Sequence, residues 1–254
     1  MHVGILVFDD MELLDMAGPY EVFTTASRVQ ARGQPAGADP LFTLTTLARR
    51  PAPVRARAGL RVLPDATLAD HPALDVALVP GGVVDAELQQ PDVIAWIAGQ
   101  RRSAALLASV CTGALLLAQA GVLDGLEATT HWEDLNALRA LRPAVTVREG
   151  VRWVDRGAVV TSAGISAGID MMPAPCAAAA QPRPGAAHRA ADGLRLERPR
   201  MNALDHKLLT ITHRPDTVFA DGHGAWLTDE RGKRHLDLVQ GWAGPSTAWA
   251  TARR

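Results

Sequence analysis

The sequence predicts an α/β protein with a mostly parallel, flavodoxin-like sheet covered by helices on both faces, on three observations. Short apolar runs such as Val3 to Phe8 are continuous, without the polar alternation of a sheet that has one face in water. These runs alternate with stretches of helical spacing. Two of them lead into small-residue turns, Pro80-Gly81-Gly82 and Cys111-Thr112-Gly113, at the carboxyl edge where open parallel sheets bind ligands.

The elements follow in order. Val3 to Phe8 is the first strand, and Met11 to Ser27 a helix with Leu14, Val22 and Phe23 at helical spacing. Leu41 to Leu47, the shorter Leu60 to Leu63 and Leu74 to Val79 read as strands. Asp92 to Arg101 is a helix, Ala104 to Val110 the central strand, and Gly113 to Ala120 a helix closed by Gly121. Val145 to Val147, Val151 to Val154 and Ala158 to Thr161 are further strands. After Asp170 the composition shifts to an alanine- and proline-rich run with no helical face to bury. A β-hairpin is expected beyond it, from Ala225 to Thr228 and His235 to Leu238 around Asp229 to Gly232. The expected division is therefore an α/β domain over 1–172, a low-complexity segment over 173–200, and a piece over 201–254 too short to be a domain alone.

A chain of 254 residues can bury a core without a disulfide or metal staple. Its 26 basic and 27 acidic side chains leave no electrostatic footprint for nucleic acid and no polybasic patch for anionic lipid. Small uncharged molecules are the expected partners. Two cysteines, Cys111 and Cys176, and a start without a basic n-region or cleavage site fit a reducing cytoplasm. The longest apolar stretch, Ser103 to Val122, is interrupted by Ser109, Thr112, Gly113 and Gln119. It reads as a buried strand entering a buried helix rather than a membrane span. The histidines show neither HExxH nor paired-cysteine spacing, so no metal site is expected, and no cofactor.

Ser109-Val110-Cys111-Thr112-Gly113 lies where an apolar strand meets an apolar helix, the setting of a nucleophile elbow. The sharp turn lifts the thiol above the sheet, and the helix N-terminus favours thiolate. A buried cysteine serving as a small hydrophobe is the competing reading. Gly81 and Gly82 end a strand where backbone N–H groups can approach a reacting atom as an oxyanion hole, although turn punctuation alone also accounts for them. Asp15, early in the first helix and flanked by apolar residues, fits a general acid/base of raised pKa or a helix N-terminal charge. His131, in Ala128-Thr129-Thr130-His131-Trp132, is either a base for Cys111 or the polar end of a strand. Gly164-Ile165-Ser166-Ala167-Gly168 fits the G-x-S-x-G pattern, but no persuasive acid and histidine follow in the required order.

Four motifs in order, VGILVFDDMELLDMAGPYEVF, LVPGG, SVCTGALLLAQAGVLDGLEATTHW and VVTSAGISAGID, resemble the DJ-1/PfpI superfamily. They span about two thirds of the chain. LDMAGPYEVF combined with SVCTGA and ATTHW is most similar to isonitrile hydratases and to the amidotransferase-like domains of AraC-type regulators. PfpI-type proteases usually carry histidine directly after the nucleophilic cysteine, and here Thr112 stands there, so proteolysis is disfavoured. The resemblance implies a DJ-1-type sheet, Cys111 as nucleophile, Asp15 as its acidic partner, Thr112 as an active-site hydroxyl, and Gly81 and Gly82 orienting the adduct. His131 matches a histidine of the DJ-1 pattern and is a secondary candidate. The implied activity is hydration of an isonitrile to an N-substituted formamide by a homodimer. The alternatives are a ligand-sensing domain without catalysis and another DJ-1-type activity such as a glyoxalase or amidase.

The chain then departs from the family, which continues past AGID with an amphipathic helix and often a stretch like TARQMDYDW. Residues His188 to Arg198 admit codons that spell TARQMDYDWN when read one base later. Met201 to Ala243 resembles the start of acetylornithine-type class III aminotransferases, and 244–251 admit codons whose shifted frame spells AVNCLGH. Two frameshifts joining a hydratase-like gene to an aminotransferase neighbour are therefore expected. The fragment has no identifiable Schiff-base lysine, so it implies no pyridoxal phosphate activity. Loss of the covering helix predicts an aggregation-prone product.

Overall fold

The computed structural model of the protein describes residues 1–32, 35, 37–172, 219–223, 226–229 and 234–236. The chain opens with β1 (His2–Leu6) and α1 (Leu13–Ala31), then β2 (Thr43–Ala48), β3 (Val54–Arg55), β4 (Arg61–Val62), β5 (Ala66–Thr67) and β6 (Val76–Val79). Next come α2 (Asp85–Leu88), α3 (Pro91–Ser103), β7 (Leu106–Val110), α4 (Gly113–Gln119) and β8 (Glu127–Ala128). A single 3-10 turn, Trp132–Asp134, leads into α5 (Leu135–Leu141), followed by β9 (Thr146–Val147), β10 (Trp153–Asp155), β11 (Val159–Ser162) and α6 (Ile165–Met171).

Seven strands form one sheet in the order β10-β11-β7-β6-β1-β2-β5. All neighbours run parallel except β10, which lies antiparallel on β11. The expected mostly parallel sheet is therefore present, with one antiparallel edge that the strand patterns did not announce. β1, β6 and β7 are its apolar centre: Val3, Ile5, Ala77, Leu78, Val79, Leu107, Ala108 and Val110 are all fully buried. Such strands read as continuous apolar runs because helices cover both faces. The helices pack in two groups, α1 against α6, and α3 and α5 against α4.

Helix α1 starts at Leu13, two residues after the expected start, because Glu12 is still extended. Asp15 therefore falls in its first turn and inside the fold, 0% exposed. The expected strand at Leu60 to Leu63 shrinks to β4, which pairs with β3 as a small hairpin outside the main sheet. Helix α4 ends at Gln119, and Gly121 takes φ 71° just beyond it, as a helix-closing glycine does.

The chain divides into two compact units, Met1–Arg195 and Leu196–Arg254. In the second, β12 (Phe219–His223), β13 (Trp226–Asp229) and β14 (Arg234–Leu236) form an antiparallel sheet. The expected hairpin corresponds to β13 and β14, and β12 adds a third strand whose Ala-Asp-Gly-His sequence carries no alternation to betray it. The low-complexity segment 173–200 lies outside the described residues.

Candidate active site

Three parallel strands bring the candidate residues to one edge. β7 ends at Val110, and Cys111 turns the chain into α4 with φ 55°. A non-glycine residue at positive φ is costly and is tolerated where the surroundings over-determine it. Only Asp10 and Cys111 adopt it among the described residues. Ser166, by contrast, sits within α6 on an exposed turn, without the strained backbone of an elbow.

The β6 end supplies the second wall. Gly81 lies so close to the elbow that a Cβ there would stand 2.6 Å from the Thr112 nitrogen and hydroxyl and 2.8 Å from Cys111 Cβ. Gly113 is equally constrained, since a Cβ would fall 2.3 Å from the Val79 carbonyl oxygen. The small residues after Val79 and Cys111 are what lets two sheet ends touch. The Thr112 hydroxyl uses this closeness, accepting from the Gly82 N–H and donating to the Gly82 C=O, each at 2.8 Å. The Gly81 N–H donates to Asp15 Oδ2 at 3.1 Å. Both glycine N–H groups that the sequence offered to an oxyanion are thus engaged in binding Asp15 and Thr112.

Asp15 lies under the elbow, with Oδ1 buried and unpartnered among the described residues. Burial pushes its carboxyl up from 3.8 to about 7, against the partial relief of the Gly81 N–H, while the nearby Glu12 charge adds to the rise. Cys111 is 8% exposed. Burial pushes its thiol up to about 12, with the Asp15 charge contributing, against the Thr112 N–H, which favours thiolate. Burial therefore favours the neutral form of both groups. The helix N-terminus does not produce a standing thiolate here, because desolvation outweighs it.

The His131 ring faces carboxylates of its own turn, its Nδ1 3.5 Å from Asp134 Oδ2 and 3.7 Å from Glu133 Oε2. It lines a groove of about 390 Å³ with Trp132, Arg152, Ala163, Gly164 and Ala167. That groove adjoins the elbow through Thr130, which donates to the Cys111 carbonyl, and Ser162, which accepts from the Cys111 N–H. Thr130 was not singled out by the sequence; a threonine before histidine at a strand end looks like ordinary punctuation. Among the described residues there is no cluster of histidine, cysteine and carboxylate groups able to hold a metal. None of the described helices is long and apolar enough to cross a membrane.

A thiol raised on a strained strand-to-helix turn over a parallel sheet, with a buried carboxyl beneath it, defines an α/β protein of the cysteine-elbow class. The chain belongs to the DJ-1/PfpI family, which its residues 1–177 match. It is 35% identical over 171 residues to isonitrile hydratase of Pseudomonas putida, across 67% of this chain and 68% of the hydratase. It is 32% identical over 170 residues to the HTH-type transcriptional regulator GbdR of Pseudomonas aeruginosa, but spans only 44% of that regulator. Among solved structures, a THiJ/PfpI family protein from Pseudomonas syringae superimposes with a TM-score of 0.59 at 29% identity, covering 70% of this chain and 68% of the other. A separate stretch of 36 residues is 64% identical to acetylornithine aminotransferase of Ralstonia nicotianae, 14% of this chain and 9% of that enzyme. Both resemblances drawn from the motifs are thus found.

Proposed function

We propose that the protein is a cysteine-dependent hydratase that adds water to an isonitrile to give an N-substituted formamide. The observation that carries this reading is the pairing of Cys111, at positive φ, with an Asp15 carboxyl whose pKa stands at about 7. A proton acceptor matched to neutral pH is what a thiol of high pKa needs to act as a nucleophile. The 35% identity to a hydratase across two thirds of both chains supports the choice of substrate.

In the proposed reaction the Cys111 sulfur bonds to the terminal isonitrile carbon as its proton passes to the Asp15 carboxylate. Asp15 returns that proton to the same carbon, leaving a thioimidate. Water, deprotonated by Asp15, then attacks the thioimidate carbon. Asp15 passes that proton to the nitrogen, the carbon–sulfur bond breaks as the new hydroxyl becomes the formyl C=O, and the hydroxyl proton passes through Asp15 to the sulfur, restoring the thiol with release of the formamide. Thr112 fixes Gly82, and Gly81 fixes Asp15, so both act by holding the reacting pair. His131 faces the groove, where the nitrogen substituent has room.

The test is formamide production from a simple alkyl isonitrile by the full chain, with Cys111→Ala and Asp15→Asn beside it. Turnover lost in both variants is the expected result, and turnover that persists in Cys111→Ala overturns the mechanism. The likeness to a transcriptional regulator supports a second reading, a ligand-sensing domain. Saturable binding of the isonitrile with no chemical change in the wild-type chain would favour that reading instead.

A further inference from the structure

We infer that Thr130 is a positioning residue for Cys111: its hydroxyl, opposite the Ser162 carbonyl, holds the cysteine backbone in the left-handed conformation of the elbow. The inference rests on Cys111 being the reactive group of the proposed site.

The Cys111 peptide groups are gripped from two sides. Its N–H donates to the Ser162 carbonyl of β11 at 3.1 Å, and its own carbonyl accepts from Thr130 Oγ1 at 2.9 Å. The N–H of Ala114 also reaches that carbonyl, at 3.3 Å. The loop that carries Thr130 is itself tied to the sheet, since the Thr129 N–H donates to Thr161 Oγ1 at 2.9 Å. Thr129, Thr130, Thr161 and Ser162 are each at most 1% exposed, so water does not compete for these bonds. Together they hold the peptide groups on both sides of the Cys111 Cα.

A left-handed conformation at an L-residue persists only where its surroundings hold it. Relaxation at Cys111 rotates the Cα–Cβ direction and carries the sulfur away from Asp15. It also turns the carbonyl that Thr130 binds. The Thr130 hydroxyl therefore opposes the motion that would separate thiol from carboxyl, without touching either group. Removing it leaves the apolar packing in place but frees the turn.

The experiment uses the full chain with Cys176→Ser, so that Cys111 is the single thiol. Thr130→Val and Thr130→Ala remove the hydroxyl, and Thr130→Ser restores it. The readouts are kcat and KM with an alkyl isonitrile, and the pH midpoint of Cys111 alkylation by iodoacetamide. The hydroxyl-free variants should lose roughly 10- to 100-fold in kcat with KM little changed, the cost of misplacing a reacting atom. Their alkylation midpoint should fall below that of wild type, toward the ordinary thiol value of 9.0, as the sulfur leaves its buried place beside Asp15. Thr130→Ser should return both to wild-type values. Wild-type alkylation midpoints in Val and Ala, a Ser variant that fails to rescue, or loss of folding in both hydroxyl-free variants would overturn the inference. A wild-type chain without hydratase turnover, but with the expected alkylation pattern, would overturn the proposed activity and leave Thr130 in its role.

Discussion

Replacing Asp15 by asparagine should change how stability depends on pH, and the size of the effect follows from the site. The carboxyl is fully buried, and its pKa stands at about 7 in the folded chain against 3.8 for the free group. A group whose folded pKa is raised stabilises the native state fully below its unfolded pKa and loses that contribution as pH rises through its folded pKa. At about 1.4 kcal/mol for each tenfold, the displacement amounts to about 4 kcal/mol at its limit. Roughly 3 kcal/mol of it falls between about pH 5 and pH 8.5. Cys111, pushed up by burial, is present in both chains, so what its ionisation on unfolding contributes toward pH 8.5 largely cancels in the comparison. Asparagine keeps an acceptor for the Gly81 N–H but places a donor where Oδ1 has no partner. That costs about 1–3 kcal/mol, equally at every pH. The difference between wild type and Asp15→Asn should therefore move in favour of the variant as pH rises, whatever its value at pH 5. Urea unfolding of both full-length chains across this range measures it. Parallel stability curves would refute the claim that Asp15 is forced to carry a buried charge.

The remaining expectations concern the elbow. Cys111→Gly and Cys111→Ala should both abolish turnover, yet glycine should be the more stable by about 1 kcal/mol, because alanine retains the left-handed strain at φ 55°. Urea midpoints decide this, and an alanine variant as stable as glycine would contradict it. Gly81→Ala should destabilise by about 2 kcal/mol or more and eliminate activity, since the new Cβ meets the Thr112 backbone nitrogen at 2.6 Å; thermal unfolding and turnover report the two effects. Thr112→Val loses both bonds to Gly82 and should cost about 1–3 kcal/mol, with Thr112→Ser recovering most of the stability in the same melt.

The position of the elbow was legible because close approach of strand ends writes itself into composition. Gly81 and Gly113 are required where two backbones nearly touch, and each follows an apolar strand within three residues. Asp15 was legible more faintly, as an acid among apolar neighbours, and the motif resemblance gave it its partner. Thr130 was not legible at all. Its partner is 19 residues away, and the bond that anchors its loop spans 32, distances over which no local pattern survives. Strand β3 escaped for a different reason, since a two-residue strand is too short to display a period of two. The antiparallel edge was hidden because Trp153 to Asp155 lies at the border of the sheet, where pairing direction follows the connecting turn rather than the strand's composition. The state of the thiol was misjudged from the sequence. A helix N-terminus predicts thiolate, but only the folded chain reveals that burial outweighs it.

That protonation state also bears on the choice of electrophile. Burial and the Asp15 charge hold the thiol well above its ordinary value, so moving its proton to the carboxylate is uphill before any bond forms. A free thiolate is accordingly scarce, and the pair favours reactions in which sulfur attack and proton transfer are coupled. An isonitrile carbon suits this arrangement, because the same atom accepts the sulfur and then the proton. One carboxyl beneath one thiol can serve both events without a second acid. A carbonyl substrate distributes them differently, taking sulfur at carbon and the proton at oxygen. It would need a donor at that oxygen; the Gly81 and Gly82 N–H groups are engaged by Asp15 and Thr112, which leaves the Thr112 N–H, already directed at the thiol, to serve both atoms. The proposed addition of hydrogen and sulfur to a single carbon therefore asks less of the elbow's donors in its first step than attack on a carbonyl would.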